Sequence, residues 1–502
     1  MDLKKLQNGS DIRGVAMDGV PGEKINLDFE TAEKIGIGFS QWLTDKTGKA
    51  TKELKVAIGT DSRITGNSLR EAISRGLSSK SVVVYNAGLA STPAMFMSTR
   101  FKETNMDGAI MITASHLPFN RNGMKFFSKK GGLDKQDISY ILEIAEKANL
   151  NHALKENLVE DQPLMKFYSN HLKKIIQKGI NDNDTPLNGF KIIVDAGNGS
   201  GGFFATEIIQ PLGADIKGSQ YLDPDGMFPN HMPNPENHEA MESIRKAVER
   251  HQADLGIIFD TDVDRAAFVD SEGNAINRNK LIALISSIIL DEYPHSWIVT
   301  DSITSDGLQY FIEHKLEGHH HRFKRGYRNV INEGIRLNTE GRECHLAIET
   351  SGHGAIKENN WLDDGAYLAA LILIKLAKLR LEGKGNLSEL IHDLPEPIES
   401  KEYRFSITDD DFKKYGEKVL SGLKEFAEKT EGWSVVPNNH EGIRVKCNQE
   451  TGNGWFLLRL SLHDPVMPIN LESESKGGIM TMIGKLRPFL NKYEKLNASG
   501  FK

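Results

Sequence analysis

The sequence predicts an α/β protein: three related α/β domains with mixed, largely parallel sheets, followed by a C-terminal α+β domain. Two observations carry this. A short β-branched strand, a Gly- or Asp-rich loop and an amphipathic helix recur as one theme through residue 390, and strands alternating with helices imply parallel-rich sheets. The remainder reads differently, with amphipathic helices over 411–429 and 475–493 around strand-like stretches such as GWFLLRLSL (454–462).

The theme appears first in KVAIGTDSR (55–63), whose strand precedes a helix from Asn67 to Leu77. It returns in SVVVYNAGLASTPA (81–94), GAIMITASHLP (108–118) and KIIVDAGNGSGG (191–202). Further instances are ADLGIIFDTDVDR (253–265), SWIVTDSITS (296–305) and HLAIETSGHGA (345–355). The helical run 137–150 closes the first unit, the helix over 367–383 closes the third, and the linker HDLPEPIES (392–400) follows. The expected domains are therefore 1–160, 161–275, 276–395 and 396–502. Ligand chemistry in such sheets concentrates beyond the strand C-termini.

Bulk properties exclude several classes. A net charge of -7 argues against nonspecific nucleic-acid binding. The two cysteines, Cys344 and Cys447, are far apart, so neither a disulfide framework nor a thiolate zinc site is expected. The opening MDLKKLQNGSDIRG carries no signal-peptide pattern, and no apolar run reaches membrane-spanning length. A cytoplasmic enzyme is expected, without membrane or nucleic-acid partners, as a monomer or small homo-oligomer.

Three loops carry candidate chemistry. In Thr113-Ala114-Ser115-His116-Leu117-Pro118 a strand delivers a serine onto a tight loop, with His116 and Lys125 near in sequence to supply charge or move a proton. An ordinary turn uses the same residue types. In Asp260-Thr261-Asp262-Val263-Asp264-Arg265 alternate residues of an extended loop would converge three carboxylates, a set that needs a cation and suits Mg²⁺. Arg265 adds a phosphate-shaped fork. A calcium loop of the EF-hand kind is excluded, because its sixth and twelfth positions would be Arg265 and Ser271. In Glu349-Thr350-Ser351-Gly352-His353-Gly354 the carboxylate and hydroxyl suit vicinal sugar hydroxyls, and His353 suits proton transfer. Asp363-Asp364-Gly365 reads as a helix cap.

Together these loops resemble those of the α-D-phosphohexomutase superfamily, the phosphoglucomutases and phosphomannomutases. TASHLP is similar to the phosphoserine loop TASHNP, DTDVDR to the metal loop DGDxDR, and ETSGHG to the sugar loop GExSGH. Weaker echoes are Gly9–Gly14, IGTDSR, GLASTP, VDAGNGSG and Pro233-Asn234-Pro235-Glu236. The resemblance implies four domains around a central cleft, Ser115 as phosphoryl carrier, and Mg²⁺ on Asp260, Asp262, Asp264 and the Ser115 phosphate. It implies phosphate contacts from Arg13 and Arg265, acid/base roles for Lys125 and His353, and substrate binding by Glu349, Ser351 and His116. Phosphorylated hexoses and a sugar bisphosphate are the implied partners, glucose or mannose 1- and 6-phosphates being interconverted through the 1,6-bisphosphate.

The sequence departs from that pattern most in the last domain. The phosphate loop RPSGTEP is matched by Arg459-Leu460-Ser461-Leu462-His463-Asp464-Pro465, and the later Arg position holds Pro468. Arg459, Ser461 and His463 are the remaining candidate phosphate ligands. This variant resembles a branch containing glucose-1,6-bisphosphate synthases, which take phosphate from a donor such as fructose 1,6-bisphosphate. A non-catalytic phosphosugar-binding protein is the third reading, opposed by the intact Ser115, Asp and Arg265 set.

Overall fold

The structure, a computed structural model, describes residues 2–150, 159–181, 183–461 and 464–501. They form two compact units, one of residues 1–288 with 351–390 and one of residues 289–350 with 391–502.

The first unit contains two sheets. In the larger, the buried strand Lys55–Thr60 pairs in parallel with Val83–Leu89 on one side and Gly108–Ile112 on the other. Antiparallel strands Arg121–Ser128 and Asp11–Val15 extend it. Helix Phe29–Thr47 crosses helix Gly66–Ser79 at glycines because backbones meet there: a Cβ on Gly76 would lie 2.0 Å from the Glu33 carbonyl oxygen. The apolar faces of these helices and of Lys135–Lys147 bury Phe39, Ile73 and Ile141 against the sheet. In the smaller sheet Ile192–Asp195 and Leu255–Phe259 run parallel, and Ala266–Asp270 returns antiparallel. Helix His238–His251 covers it through Ile244 and Val248.

The second unit holds parallel strands His319–Phe323, Trp297–Asp301 and Cys344–Ile348, in that order, and a six-stranded sheet. The six-stranded sheet is antiparallel, and helices Phe412–Glu428 and Gly478–Leu490 complete its core with Leu423 and Met482.

Three α/β layers with mixed sheets and a further sheet-rich segment agree with the predicted class. Three instances of the repeated theme differ, however. After the Ser115 and Asp260 loops the chain returns as antiparallel strands, Arg121–Ser128 and Ala266–Asp270, instead of as helices. Both strands are buried along nearly their whole length, and neither RNGMKFFS nor AAFVD carries a helix period. After the 345–355 segment a short strand pair, Gly354–Ile356 with Leu362–Asp363, likewise comes before helix Gly365–Leu381.

Candidate active site

The serine loop leaves strand Gly108–Ile112 in a strained conformation. Ser115 has φ of 50°, in the left-handed region that non-glycine residues seldom occupy. What holds it there is a buried arginine. Arg63 donates through Nη2 to the carbonyl oxygens of Ser115 and Leu117, both at 2.6 Å, and through Nη1 to those of Pro118 (2.7 Å) and Arg121 (2.8 Å). Asp61 balances it at 3.3 Å. The Ser115 N–H donates to Thr113 Oγ1 at 2.9 Å. The hydroxyl is thereby fixed. Ser115 Oγ donates to Asp260 Oδ2 at 3.0 Å and accepts from Arg265 Nη2 at 3.0 Å.

The three carboxylates of the second loop do come together, with an oxygen of each within 4.8 Å of the others. The mechanism differs from alternation along an extended loop. Residues 260–265 form a tight turn in which the Asp260 N–H donates to the Arg265 carbonyl and Val263 has φ of 67°. The turn therefore curls the side chains inward. Thr261, where the related loop has Gly, is not among the left-handed residues, so no glycine is needed there.

Asp260, Asp262 and Asp264 are each at most 1% exposed. Lys125 Nζ donates to Asp262 Oδ2 at 2.8 Å and also to Asp264. Thr92 contributes its hydroxyl to Asp262, and its N–H donates to the Asp262 carbonyl at 2.8 Å. Burial, then the neighbouring Asp264 carboxylate, drives Asp260 well above the carboxylate range. The Oδ1 atoms of Asp262 and Asp264 are buried without a hydrogen-bond partner among the described residues. Buried carboxylate oxygens with unmet acceptor capacity are what a hard divalent cation would satisfy, so these residues fit Mg²⁺.

Arg265 ties both loops together. Besides Ser115 it donates from Nε to Asp260 Oδ2 at 3.1 Å and from Nη1 to Asn234 Oδ1 at 3.3 Å. Its Nη2 also lies 2.8 Å from His116 Nδ1. Burial and then the Arg265 and Arg13 charges hold the His116 ring neutral, pushing it down to about 2. His116 is therefore an orienting acceptor and a poor base toward Ser115 Oγ, 3.3 Å away. Arg13 donates to the Ala114 carbonyl at 2.9 Å and pairs with Asp11 at 3.1 Å.

His353 stands at the same centre. Its Nδ1 is 2.6 Å from Asp363 Oδ2 and 3.7 Å from Asp264 Oδ1. Burial alone would depress the imidazole, but Asp363, helped by Asp264, raises it to about 9. Asp363 is more than a cap residue: its Oδ1 also accepts from the Gly354 N–H at 2.9 Å, while Asp364 is the carboxylate that caps the following helix. Ser351 Oγ is buried without a partner among the described residues.

In the second unit, Glu349 accepts from the Gly326 N–H at 2.7 Å. Arg459 is 8% exposed, and its Nε is buried without a partner among the described residues. Its backbone N–H donates to the Pro468 carbonyl at 3.1 Å. The Ser461 N–H donates to the Val466 carbonyl at 2.9 Å, and Ser461 Oγ accepts from the Asp464 N–H at 3.3 Å. His463 and Leu462 lie outside the described residues.

The structure thus gathers Ser115, His116, Lys125, Asp260, Asp262, Asp264, Arg265 and His353 around one centre in the first unit. Sequence reasoning gave Arg63, Thr92 and Asn234 no role of their own and read Asp363 only as part of a helix cap. The first three lie inside IGTDSR, GLASTP and Pro233–Glu236, so a signal existed, but nothing local tells which residue of each motif points inward.

Comparison with known proteins gives a consistent outcome. Residues 4–152 match "Phosphoglucomutase/phosphomannomutase, alpha/beta/alpha domain I", residues 166–273 match domain II, and residues 277–398 match domain III. A phosphoglucomutase/phosphomannomutase of Thermococcus kodakarensis is 30% identical over 469 residues, covering 91% of this chain and 93% of that one. A phosphomannomutase/phosphoglucomutase of Pseudomonas syringae pv. tomato is 28% identical over 486 residues, covering 96% of this chain and 94% of that one. Among solved structures, a phosphoglucomutase/phosphomannomutase family protein from Burkholderia thailandensis superposes with a TM-score of 0.78 at 25% identity, covering 97% of each chain.

Proposed function

Because this chain belongs to the phosphoglucomutase/phosphomannomutase family of the α-D-phosphohexomutase superfamily, we propose that it is a phosphotransferase that moves a phosphoryl group on and off phosphorylated hexoses through Ser115. The observation that carries this reading is the Ser115 hydroxyl, held on a left-handed backbone between Arg265 and a buried carboxylate triad.

Transfer asks the protein mainly for positioning and charge neutralisation. Arg63 positions the Ser115 loop. Arg265 presents its guanidinium at Oγ, where the phosphoryl group leaves or arrives. Asp260, Asp262 and Asp264, with the phosphorylated Ser115, would hold Mg²⁺, which when bound supplies Lewis-acid stabilisation of charge on the transferring group. His353 is cationic at neutral pH, with its Nδ1 proton held by Asp363, and so serves as an acid whose transferable proton is on Nε2. Lys125 is the second acid/base candidate. Glu349 and Ser351 are assigned to sugar hydroxyls, Arg13 and His116 to the phosphate and loop at Ser115. The segments 1–160, 161–275, 276–395 and 396–502 are assigned the serine, metal, sugar and phosphate loops respectively. A cytoplasmic site of action is part of this reading, and no helix among the described residues is long and apolar enough to cross a membrane.

If the triad holds the metal, a chelator should abolish turnover and Mg²⁺ should restore it. Asp262→Ala should lower kcat by about a hundredfold or more. An undiminished rate in Asp262→Ala would remove the assignment.

A second reading, glucose-1,6-bisphosphate synthesis from a donor such as fructose 1,6-bisphosphate, is favoured by one observation. In the Arg459 loop the N–H groups of Ser461 and Asp464 are spent on the loop's own bonds, and the Gly and Thr of the related phosphate loop are absent. A weaker clamp favours release of the bisphosphate before it turns. The deciding experiment incubates the protein with Mg²⁺ and glucose 1-phosphate, with and without excess fructose 1,6-bisphosphate, and separates the products. Net glucose 1,6-bisphosphate identifies the synthase; rapid interconversion with only a trace of bisphosphate identifies the mutase. In either case Arg459→Ala should raise KM about ten- to a hundredfold, the effect of one lost charge-assisted contact, with Ser115 still phosphorylatable.

A further inference from the structure

The second unit contains a cavity of about 790 Å³ that none of the residues assigned above lines. It runs along the open edge of strand His319–Phe323 toward the segment Ser434–His440. Substrate loops of a parallel sheet follow the strand C-termini, as Glu349 does here. This cavity reaches the other end: Trp297 begins its strand, and Arg342 precedes strand Cys344–Ile348.

Its wall is cationic. Arg322, Arg336, Arg342, Arg444 and Lys446 line it, and no Asp or Glu does among the described residues. The carboxylates that bond these cations stand behind them. Asp306 meets Arg322, Arg444 and Lys446 at 3.1, 2.9 and 3.5 Å, and Glu333 and Glu340 meet Arg336. Glu472 adds a fourth carboxylate whose charge acts on Arg322 and Arg444, against five cations in the wall, and Arg342, 5.3 Å over the Trp297 ring, has no carboxylate partner among the described residues. Two polar atoms in the wall are buried without partners among the described residues, His320 Nδ1 and Arg444 Nε. His320 Nε2 is taken by Thr300 Oγ1 at 2.8 Å. Unmet buried polar atoms are uncommon and point to a group that completes them. A cavity of this volume suits a small organic ligand, and several guanidinium forks suit more than one phosphate group.

We propose that this cavity is a binding site for an organic di- or triphosphate, separate from the Ser115 centre. Two sources carry that chemistry, a nucleoside triphosphate and a sugar bisphosphate, and the experiment separates them.

The full-length protein is titrated with ATP, fructose 1,6-bisphosphate and inorganic tripolyphosphate at 150 mM NaCl, by calorimetry and by tryptophan fluorescence, to which Trp297 in the cavity wall contributes. The comparison proteins are the double variant Arg342→Glu/Lys446→Glu, built at two surface-accessible wall positions, and Arg459→Ala. At least one probe should bind saturably to the parent, with about hundredfold weaker binding in the double variant, tenfold for each reversed contact. Arg459→Ala should bind it like the parent. Turnover of the double variant without probe should match the parent, which also establishes that it folds. Binding of ATP and tripolyphosphate alone identifies a nucleotide site, and binding of fructose 1,6-bisphosphate alone a sugar-bisphosphate site. No saturable binding of any probe at millimolar concentration, or equal binding by the folded double variant, overturns the proposal.

Discussion

Ser115→Ala is expected to lower kcat by on the order of 10⁴-fold or more, the scale seen when a covalent nucleophile is removed. Ser115 Oγ is the only atom of this residue that Asp260 and Arg265 engage as a side-chain group, and both bonds are lost with it. The fold should survive, because the loop is anchored through the Ser115 carbonyl by Arg63 and through its N–H by Thr113, and alanine keeps both. Alanine at φ of 50° is strained as serine is, so stability should change little. Coupled assay gives the rate, and phosphopeptide mass spectrometry of the parent should locate phosphate on Ser115. Near-parental turnover in the alanine variant would transfer the carrier role elsewhere.

Arg63→Met is expected to damage stability and rate together. One side chain satisfies four carbonyl oxygens of the serine loop, and its charge offsets that of the fully buried Asp61. Removing it strands an uncompensated buried partner, a loss of about 3–5 kcal/mol. Burial already raises Asp61 to about 6, with Arg63 the chief group holding it down, so in the variant Asp61 should be protonated near neutral pH. The apparent Tm should fall by roughly 10 °C and kcat by about a hundredfold, because Ser115 no longer meets Arg265 at a defined distance. Arg63→Lys should recover part of the stability, since the charge returns, but less of the rate, since an ammonium cannot reproduce a fork reaching four acceptors. Scanning calorimetry with single-turnover phosphoryl transfer checks both. A parental Tm and rate in Arg63→Met would remove the loop-pinning role.

The strands and helices at the ends of the repeated theme were legible because periodicity and caps are local. Asp364 caps helix Gly365–Leu381 as its position predicts, and the helices over 411–429 and 475–493 appear as Phe412–Glu428 and Gly478–Leu490. Arg121–Ser128 and Ala266–Asp270 were not legible as strands that return, since an inner strand buried on both faces carries no alternation to distinguish it.

The sequence alone determined the chemical inventory: a serine at a strand end, three closely spaced carboxylates, an arginine beside them, and the family to which their order belongs. Only the tertiary structure decided how those groups act on one another. Val263 in the left-handed region turns the carboxylates inward, Arg63 binds a loop 52 residues away, and Asp363 changes His353 from a neutral base into an acid. The physical reason is that side-chain identity is written locally. Proton affinity and loop conformation instead depend on desolvation and on charges brought near by distant segments, and only the folded chain sets those.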